Sequence, residues 1–461
     1  MIRLIVINKW FFLFKKRNDA MQAINFDYVS TCQVDNEALQ SMQYKLKSEI
    51  ERVCDAHTSH YTTDYASINL PFDQDTIKTV TEMAVKLKKA FNPTVLVVIG
   101  IGGSNLGTIA VLESLKGKFY NEHNTIKVYF VDTIDSDHTN DIAQLVKHEL
   151  TTGSNIFINV VSKSGATMET ITNFEIFLKI LKIYRPYNYH NFIIATTDKN
   201  SALYNLAQNE KFACLIIPNN VGGRYSVFSA VGLFPLCFLD INIEELCEGA
   251  RTGFLMSTQR KIFDNYAALS ASIIATHYIR GKIVHDTFIF SHALQGIGAW
   301  YRQLSAESIG KTYDRNNELV NIGILPTISL GSADLHSVAQ LYLAGPHNRF
   351  TTFISIKKNN SDLVVPNYEE FENIVPHIQN KSLLFLMNAI IEGTKKAYYN
   401  DNHPFVSITI PEKSTYYLGQ FMQIKMLEII YLGFILNINP FDQPEVEKYK
   451  KETRNILIIK K

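Results

Sequence analysis

The sequence predicts an α/β protein with two domains, each a parallel sheet between layers of helices, and helical segments at both ends. From Pro71 onward, short apolar runs alternate with stretches of helical periodicity, which is typical of strands joined by crossover helices. A strand running directly into a small-residue turn and a helix occurs twice, at 95–107 and 287–298. The repeated pattern indicates two similar halves.

The composition indicates a globular chain with no strong overall charge. The 461 residues are 46% hydrophobic and 19% charged, and 45 Lys and Arg face 44 Asp and Glu. This balance excludes a disordered chain, and the formal charge of +1 provides no general attraction for nucleic acid or anionic membranes. An anionic ligand must therefore be held by a local site.

The alternation divides the chain into segments. We expect an N-terminal helical segment at 21–70, a first domain at 71–220, a second domain at 221–410 and a C-terminal helical segment at 411–461. The predicted strands of the first domain are 95–99, 128–131, 156–161, 192–196 and 213–217. In the second domain the pattern predicts helices at 242–255 and 264–279 and strands at 287–291 and 352–356. A long helix is predicted at 415–436.

Residues 1–20 are interpreted as a dispensable extension upstream of a start at Met21. The apolar run at 4–14 is shorter than the roughly 20 residues that span a bilayer, and no small-residue cleavage site follows it. A peripheral membrane anchor is the alternative.

The five cysteines form no C-x-x-C pair, which favours reduced thiols and a cytoplasmic location. His57 and His60 lack partners at ligand spacing, so no metal site is expected.

Two turns in the first domain have the chemistry of an anion site. The first contains Gly103 and Ser104 after a strand, but Asn105 stands where a dinucleotide fingerprint needs glycine. The second also joins a strand to a helix, and its polar residues are Ser162, Lys163, Ser164 and Thr167. Each turn alone could be an unliganded turn or a helix cap. Together they meet at the carboxyl edge of one sheet, where such folds bind ligands.

Four further segments carry charged or polar groups with two possible interpretations. Arg224 follows two glycines between the predicted domains, and it is either a salt-bridge partner or an electrostatic group. Glu307 and Lys311 stand at i and i+4, so a helix-face ion pair is the simpler interpretation. His336 is a single histidine, which could be structural. Gln443 and Lys450 belong to a terminal segment that could be a solvated helix.

Taken in order, these segments resemble the bacterial type of glucose-6-phosphate isomerase. The motifs are G-G-S, S-K-S-x-x-T-x-E-T, G-G-R-[YF]-S, E-S-x-G-K, D-L-H-S and Q-P-x-V-E-x-x-K, and together they run from about residue 64 to 450. The resemblance implies two sugar-isomerase (SIS-type) domains and interconversion of glucose 6-phosphate and fructose 6-phosphate. It also implies that neither a metal nor an organic cofactor is needed.

The resemblance further implies a role for each site residue. Arg224 would stabilise the enediolate, Glu307 would move the proton between C2 and C1, and Gln443 would hold Glu307 or the substrate. His336 and Lys450 would assist ring opening, with His336 contributed across the interface of a homodimer. The substrate-binding groups would be Gly103 and Ser104 for the sugar, and Ser162, Lys163, Ser164 and Thr167 for the phosphate.

Two departures and three alternatives accompany this resemblance. Ala166 stands where the family commonly has a hydroxyl residue, and the segment 312–331 looks longer than in short relatives. The alternatives are an isomerase for amino-sugar or mannose phosphates, a non-catalytic sugar-phosphate sensor and a dehydrogenase. A sensor would lack Glu307, His336 or Lys450, all of which are present, and Asn105 disfavours the dehydrogenase.

Overall fold

A computed structural model describes residues 23–459 of the chain. The predicted extension 1–20 lies outside the described residues. Twelve strands and sixteen helices are present in the described part, together with short 3-10 turns.

The strands are, in chain order, β1 (Asn25–Asp27), β2 (Val95–Ile99), β3 (Lys127–Val131), β4 (Ile156–Ser162), β5 (Ile193–Thr197), β6 (Ala213–Ile216), β7 (Val284–Ile289), β8 (Lys311–Tyr313), β9 (Leu319–Ile322), β10 (Leu325–Leu330), β11 (Arg349–Lys358) and β12 (Phe405–Glu412). The helices are α1 (Asn36–Ala56), α2 (Gln74–Phe91), α3 (Leu106–Lys116), α4 (Tyr120–His123), α5 (Ser136–Thr151), α6 (Met168–Tyr184), α7 (Ala202–Glu210), α8 (Ala230–Phe238), α9 (Ile243–Met256), α10 (Tyr266–Ile279), α11 (Gln295–Ile309), α12 (Ala339–Ala344), α13 (Glu369–Glu372), α14 (Leu383–Asn400), α15 (Thr415–Ile435) and α16 (Val446–Ile459).

The first sheet has the order β3-β2-β4-β5-β6, and all its neighbouring strands are parallel. Every residue of β2, β4 and β5 is buried, because helices cover both faces of the sheet. The five strands predicted for this domain are confirmed, with bounds that differ by one residue or less.

The second sheet has the order β1-β12-β11-β7-β10. Strands β12, β11, β7 and β10 are mutually parallel, whereas β1 pairs antiparallel with β12. The N-terminal segment therefore supplies an edge strand as well as helix α1. The segment 312–331 contains most of the β8–β9 hairpin and then β10, so much of it is sheet structure. The predicted two-domain α/β fold is confirmed.

Helix packing joins the two sheets into one molecule. Gly296 on α11 lies against α3, where an added Cβ would stand 3.0 Å from the Cα of Ala110. Helix α15 packs against α9, α10 and α11. Among the described residues α15 alone is long and apolar enough to cross a membrane, and 89% of its most apolar stretch is buried inside the protein, as in a core helix.

Candidate active site

The first predicted turn follows β2 and packs directly on the turn that carries Arg224. A Cβ atom on Gly103 would stand 2.1 Å from the carbonyl carbon of Gly223 and 2.5 Å from the nitrogen of Arg224. Ser226 donates a hydrogen bond from its hydroxyl to the Gly103 carbonyl over 3.2 Å. Only glycine fits at this contact, so the two glycine motifs form one structural unit.

Asn105, next to this turn, uses its side chain within the fold. Its amide donates to the Asp132 carboxylate over 3.2 Å, and Asn105 is 1% exposed. In a dinucleotide-binding domain, an acidic residue after the second strand binds the ribose, and Asp132 follows β3 directly. Its bond to Asn105 gives that carboxylate a structural partner, which weakens the dehydrogenase interpretation further.

The hydroxyl-rich turn between β4 and α6 holds its side chains close together. The Ser162 and Thr167 hydroxyl oxygens are 2.9 Å apart, and those of Ser164 and Thr167 are 3.4 Å apart. The backbone N–H groups of Gly165 and Ala166 point inward and donate to the Ser162 and Ser164 hydroxyls. Thr167 precedes the first residue of α6, so the turn lies at a helix N-terminus that favours an anion.

Lys163 adds a cation to this turn. Its side chain is half-buried, and burial lowers the pKa of its ammonium group while the nearby Asp198 carboxylate opposes that shift.

Arg224 is the most heavily bonded residue of the site. It is 2% exposed, and its Nε donates to the Ser308 hydroxyl over 2.7 Å. Its Nη2 donates to the carbonyls of Pro440 at 2.6 Å and Asp442 at 3.1 Å. Its Nη1 donates to the Gln443 amide oxygen at 2.7 Å and to the Glu307 carboxylate. All five N–H groups of the guanidinium are thereby engaged.

Glu307 lies in the last turn of α11, with a side chain that is 32% exposed and an Oε2 atom 3.3 Å from Arg224 Nη1. Its Oε1 accepts a hydrogen bond of 2.8 Å from the Gln303 amide, one helical turn earlier. The simple i, i+4 interpretation of Glu307 and Lys311 is wrong. Lys311 donates to the backbone carbonyl of Glu307 instead, over 3.1 Å, and the carboxylate pairs with Arg224.

Lys450 lies on α16 and faces the hydroxyl-rich turn between β4 and α6. A cavity of about 300 Å³ lies between α16 and the start of α6, and Ser164, Thr167 and Lys450 all line it. The Lys450 ammonium is 2.7 Å from the Glu447 carboxylate, and its side chain is 42% exposed. The cavity has room for a small anion between the two elements.

Among the described residues, His336 forms no hydrogen bond or ion pair with this cluster. It ends the 3-10 turn Ala333–His336, which follows β10 of the second sheet, and it is exposed. The same turn is held by Asp334, whose Oδ2 accepts from the Leu330 N–H at 2.7 Å. The structure thus brings the predicted groups into two clusters, one around Arg224 with Gly103, Glu307 and Gln443 and the other around the cavity lined by Ser164, Thr167 and Lys450, and His336 belongs to neither.

Three residues of the site were missed by the sequence reasoning as functional groups: Gln303, Ser308 and Lys311. Gln303 could have been found from its position four residues before Glu307 on the same helix face. The partners of Ser308 and Lys311 come from residues 224 and 440–442, far away in sequence, so no local pattern reveals them. Residues 23–459 contain no group of three or more His, Cys, Asp or Glu side chains placed to hold a metal ion.

Two domains built on parallel sheets, a hydroxyl-rich turn at a helix N-terminus and a helix-borne carboxylate paired with a buried arginine fit a sugar-phosphate isomerase. The family model described as phosphoglucose isomerase matches residues 75–459. The chain therefore belongs to the phosphoglucose isomerase family, and it is an isomerase.

Relatives along nearly the whole chain agree with this family. A glucose-6-phosphate isomerase of Caldanaerobacter subterraneus is 32% identical over 441 residues, which cover 93% of this chain and 94% of that protein. One from Bacillus cereus is 33% identical over 395 residues, covering 84% of both chains. A crystal structure of a hypothetical protein from Thermus thermophilus superposes with a TM-score of 0.83 at 28% identity, covering 94% of this chain and all of that one. The crystal structure of a glucose-6-phosphate isomerase from Chlamydia trachomatis shares the fold, with a TM-score of 0.82, 20% identity and coverage of 95% and 89%.

Proposed function

We propose that this chain interconverts glucose 6-phosphate and fructose 6-phosphate, with Glu307 as the base and Arg224 as the group that stabilises the enediolate. The observation that carries the proposal is the 3.3 Å contact between the Glu307 carboxylate and Arg224 Nη1. A base and a permanent cation at this distance can serve adjacent atoms of one substrate, the carbon that loses a proton and the oxygen that gains charge.

The proton transfer follows from this geometry. Glu307 removes the proton from C2 of the open-chain aldose, and the electron pair moves to the carbonyl oxygen at C1, which gives the enediolate. The proton of the C2 hydroxyl group moves to the oxygen at C1, so that the negative charge passes to the oxygen at C2. The same carboxylic acid then returns its proton to C1, and the oxygen at C2 becomes the ketose carbonyl. The Gln303 amide, 2.8 Å from Oε1, orients the carboxylate for both steps.

Arg224 must exchange a partner to bind the enediolate, because its own chain uses all five donors. The Nη1 bonds to Glu307 and Gln443 are the ones that can be exchanged, because both partners are side chains that can rotate, whereas Nη2 is bound by two backbone carbonyls. We infer that the substrate oxygen replaces Gln443. Gln443 is then freed to bind a hydroxyl group of the sugar.

The phosphate is assigned to the turn after β4. Ser162, Ser164 and Thr167 contact one another through their hydroxyl groups and can turn toward three phosphate oxygens, with Lys163 as the nearby cation. Gly103 and Ser104 would then border the sugar. Lys450, which shares the cavity with this turn, is assigned to ring opening.

His336 is assigned to the active site of a second subunit, so we propose a homodimer. Its exposed side chain, which forms no hydrogen bond or ion pair with Glu307 of its own chain, supports this assignment. The surface that follows His336 in the sequence is rich in exposed apolar side chains, which a second copy would cover. They include Leu341, Leu363, Phe371, Ile374, Phe385 and Tyr399.

All five cysteines are unpaired, which supports the proposal of a reducing, cytoplasmic location.

The direct test is an assay of purified, chelator-treated full-length protein with fructose 6-phosphate as the substrate and glucose 6-phosphate as the measured product. We expect turnover in both directions. Parallel assays with mannose 6-phosphate and glucosamine 6-phosphate separate this proposal from the other aldose-ketose isomerases. Folded protein that turns over neither glucose 6-phosphate nor fructose 6-phosphate would overturn the assignment.

A further inference from the structure

Lys311 is a buried cation for which the proposed reaction has no use. It is the last residue of the E-S-x-G-K motif and the first of β8, and its side chain is 5% exposed. Its ammonium group makes three contacts, to the Glu307 carbonyl at 3.1 Å, the Asp442 carbonyl at 2.6 Å and the Asp442 carboxylate at 3.1 Å. The three donors of the ammonium group are thereby used.

These contacts join two parts of the site that are distant in sequence. The Glu307 carbonyl belongs to the last turn of α11, where such groups lack a helical partner and attract cations. Asp442 lies in the segment that carries Gln443 and leads into α16, the helix of Lys450. Lys311 therefore ties the end of the base-bearing helix to the segment that completes the site.

The Asp442 carbonyl is held by two cations, Lys311 and Arg224, whose Nη2 is 3.1 Å away. When the substrate takes the place of Gln443 at Nη1, Arg224 loses one of its contacts to the 440–443 segment and keeps only the Nη2 bonds to the Pro440 and Asp442 carbonyls. During that exchange Lys311 keeps the 440–443 segment in place. The backbone of Lys311 is itself fixed, since it pairs with Ile322 in the β8–β9 hairpin.

We propose that Lys311 is a positioning residue for the isomerase reaction, which keeps Gln443 and Lys450 in register with Glu307 while Arg224 engages the substrate. This inference rests on the proposed function. Loss of the tie leaves the chemistry intact in each molecule but lowers the fraction of time in which the groups are aligned. The effect is therefore expected mainly in kcat, with a smaller change in KM.

The test compares Lys311→Met with Lys425→Met in the full-length protein. Lys425 is an equally buried lysine, paired with Glu428 on α15, and it takes no part in the site. Per folded molecule, we expect Lys311→Met to lower kcat by about 100-fold, the size of a positioning loss, and Lys425→Met to leave kcat unchanged. If Lys311→Met fails to fold, Lys311→Gln replaces it, because the glutamine amide can still donate a hydrogen bond. If Lys425→Met fails to fold, the double variant Lys425→Met/Glu428→Gln replaces it. For Lys311→Gln we expect a smaller fall in kcat.

A second comparison separates positioning from general stability. Asp442→Asn weakens only one of the three contacts of the Lys311 ammonium group and keeps both backbone carbonyls, so its kcat is expected to fall much less than that of Lys311→Met. In a Gln443→Ala background, the loss caused by Lys311→Met should shrink, because one of the groups that Lys311 aligns is already gone. An unchanged kcat in folded Lys311→Met, an equal loss in Lys425→Met, or full additivity with Gln443→Ala would overturn the inference. Absence of activity in the wild type would instead contradict the proposed function.

Discussion

Gly103 and Gly223 lie so close together that a Cβ on Gly103 would stand 2.1 Å from the Gly223 carbonyl carbon, whereas a Cβ on Gly223 would stand 3.9 Å from the Gly103 Cα. The contact is therefore asymmetric. It fixes the backbone of Arg224, whose nitrogen is the third atom near the absent Gly103 Cβ.

This asymmetry predicts different outcomes for two alanine substitutions. We expect Gly103→Ala to lower the free energy of unfolding by about 1–3 kcal/mol, the cost of overpacking a rigid contact, and to reduce kcat by displacing Arg224. Gly223→Ala meets only ordinary van der Waals distance, so its stability should stay near that of the wild type. Thermal unfolding of both variants measures the difference. Equal stability of the two would contradict the close contact between the turns.

The amide variant Glu307→Gln removes the proposed base with little change in shape. Its side-chain oxygen can still accept from Arg224, so the site should remain assembled. We expect kcat to fall by about 10²- to 10⁴-fold, the usual contribution of a general base, with substrate affinity retained. Steady-state kinetics and equilibrium binding of fructose 6-phosphate provide the two readouts. Near-normal turnover would leave Glu307 only as a salt-bridge partner of Arg224.

The hydroxyl turn supports a prediction about phosphate affinity. Ser164→Ala removes one hydroxyl that would bind a phosphate oxygen, and hydrogen bonds to charged groups contribute about 1.5–3 kcal/mol. We expect KM to rise at least about tenfold while kcat changes little, because the phosphate is bound equally in ground and transition states. Ala166→Ser adds a hydroxyl on the rim of the same cavity and should lower KM. Opposite signs for the two variants are the expected result, and unchanged KM in both would place the phosphate elsewhere.

Much of this fold could be predicted because the buried strands are continuous apolar runs. Val95–Ile99 is one such run, and its predicted and observed bounds agree. The predicted strand 287–291 begins three residues late, because His285 and Asp286 look polar although both are buried. Asp286 is accommodated by the Thr327 and Ser329 hydroxyls of neighbouring β10, at 2.6 and 3.0 Å, and that pairing is a tertiary contact which local sequence does not show.

The residues of the candidate site could be named from motifs in the sequence, but the contacts between them could not be predicted. Arg224 was identified from its motif, yet its partners at 307, 308 and 440–443 are brought to it by tertiary packing, which includes the contact of α11 with α15. Lys311 illustrates the limit. Its spacing from Glu307 predicts an ion pair, but the chain turns away at Gly310, the residue after α11, and the ammonium reaches a backbone carbonyl instead.

The buried pair of Lys425 and Glu428 predicts a measurable stability effect. Their side chains are 1% and 0% exposed, the atoms are 2.6 Å apart, and Tyr301 donates to the other Glu428 oxygen at 2.6 Å. Lys425→Met leaves an unpaired buried carboxylate and should cost about 3–5 kcal/mol. Lys425→Met/Glu428→Gln removes that charge and keeps an acceptor for Tyr301, so it should recover most of the loss. Urea unfolding at one fixed protein concentration checks both, and a double variant no more stable than the single one would contradict the explanation.

The proposed homodimer predicts complementation between two inactive variants. Glu307→Gln lacks the base, and His336→Ala lacks the imidazole that we assign to ring opening in the other subunit. In a heterodimer of these chains, one site would contain both substitutions and the other would contain neither. Each heterodimer should therefore regain about one wild-type site, because the groups of each site come from both chains. Mixed chains carrying different affinity tags, unfolded and refolded together, allow the heterodimer to be isolated and assayed against each parent. A purified heterodimer as inactive as its parents would contradict a shared site, and a fully active monomer would show that His336 serves its own chain or none.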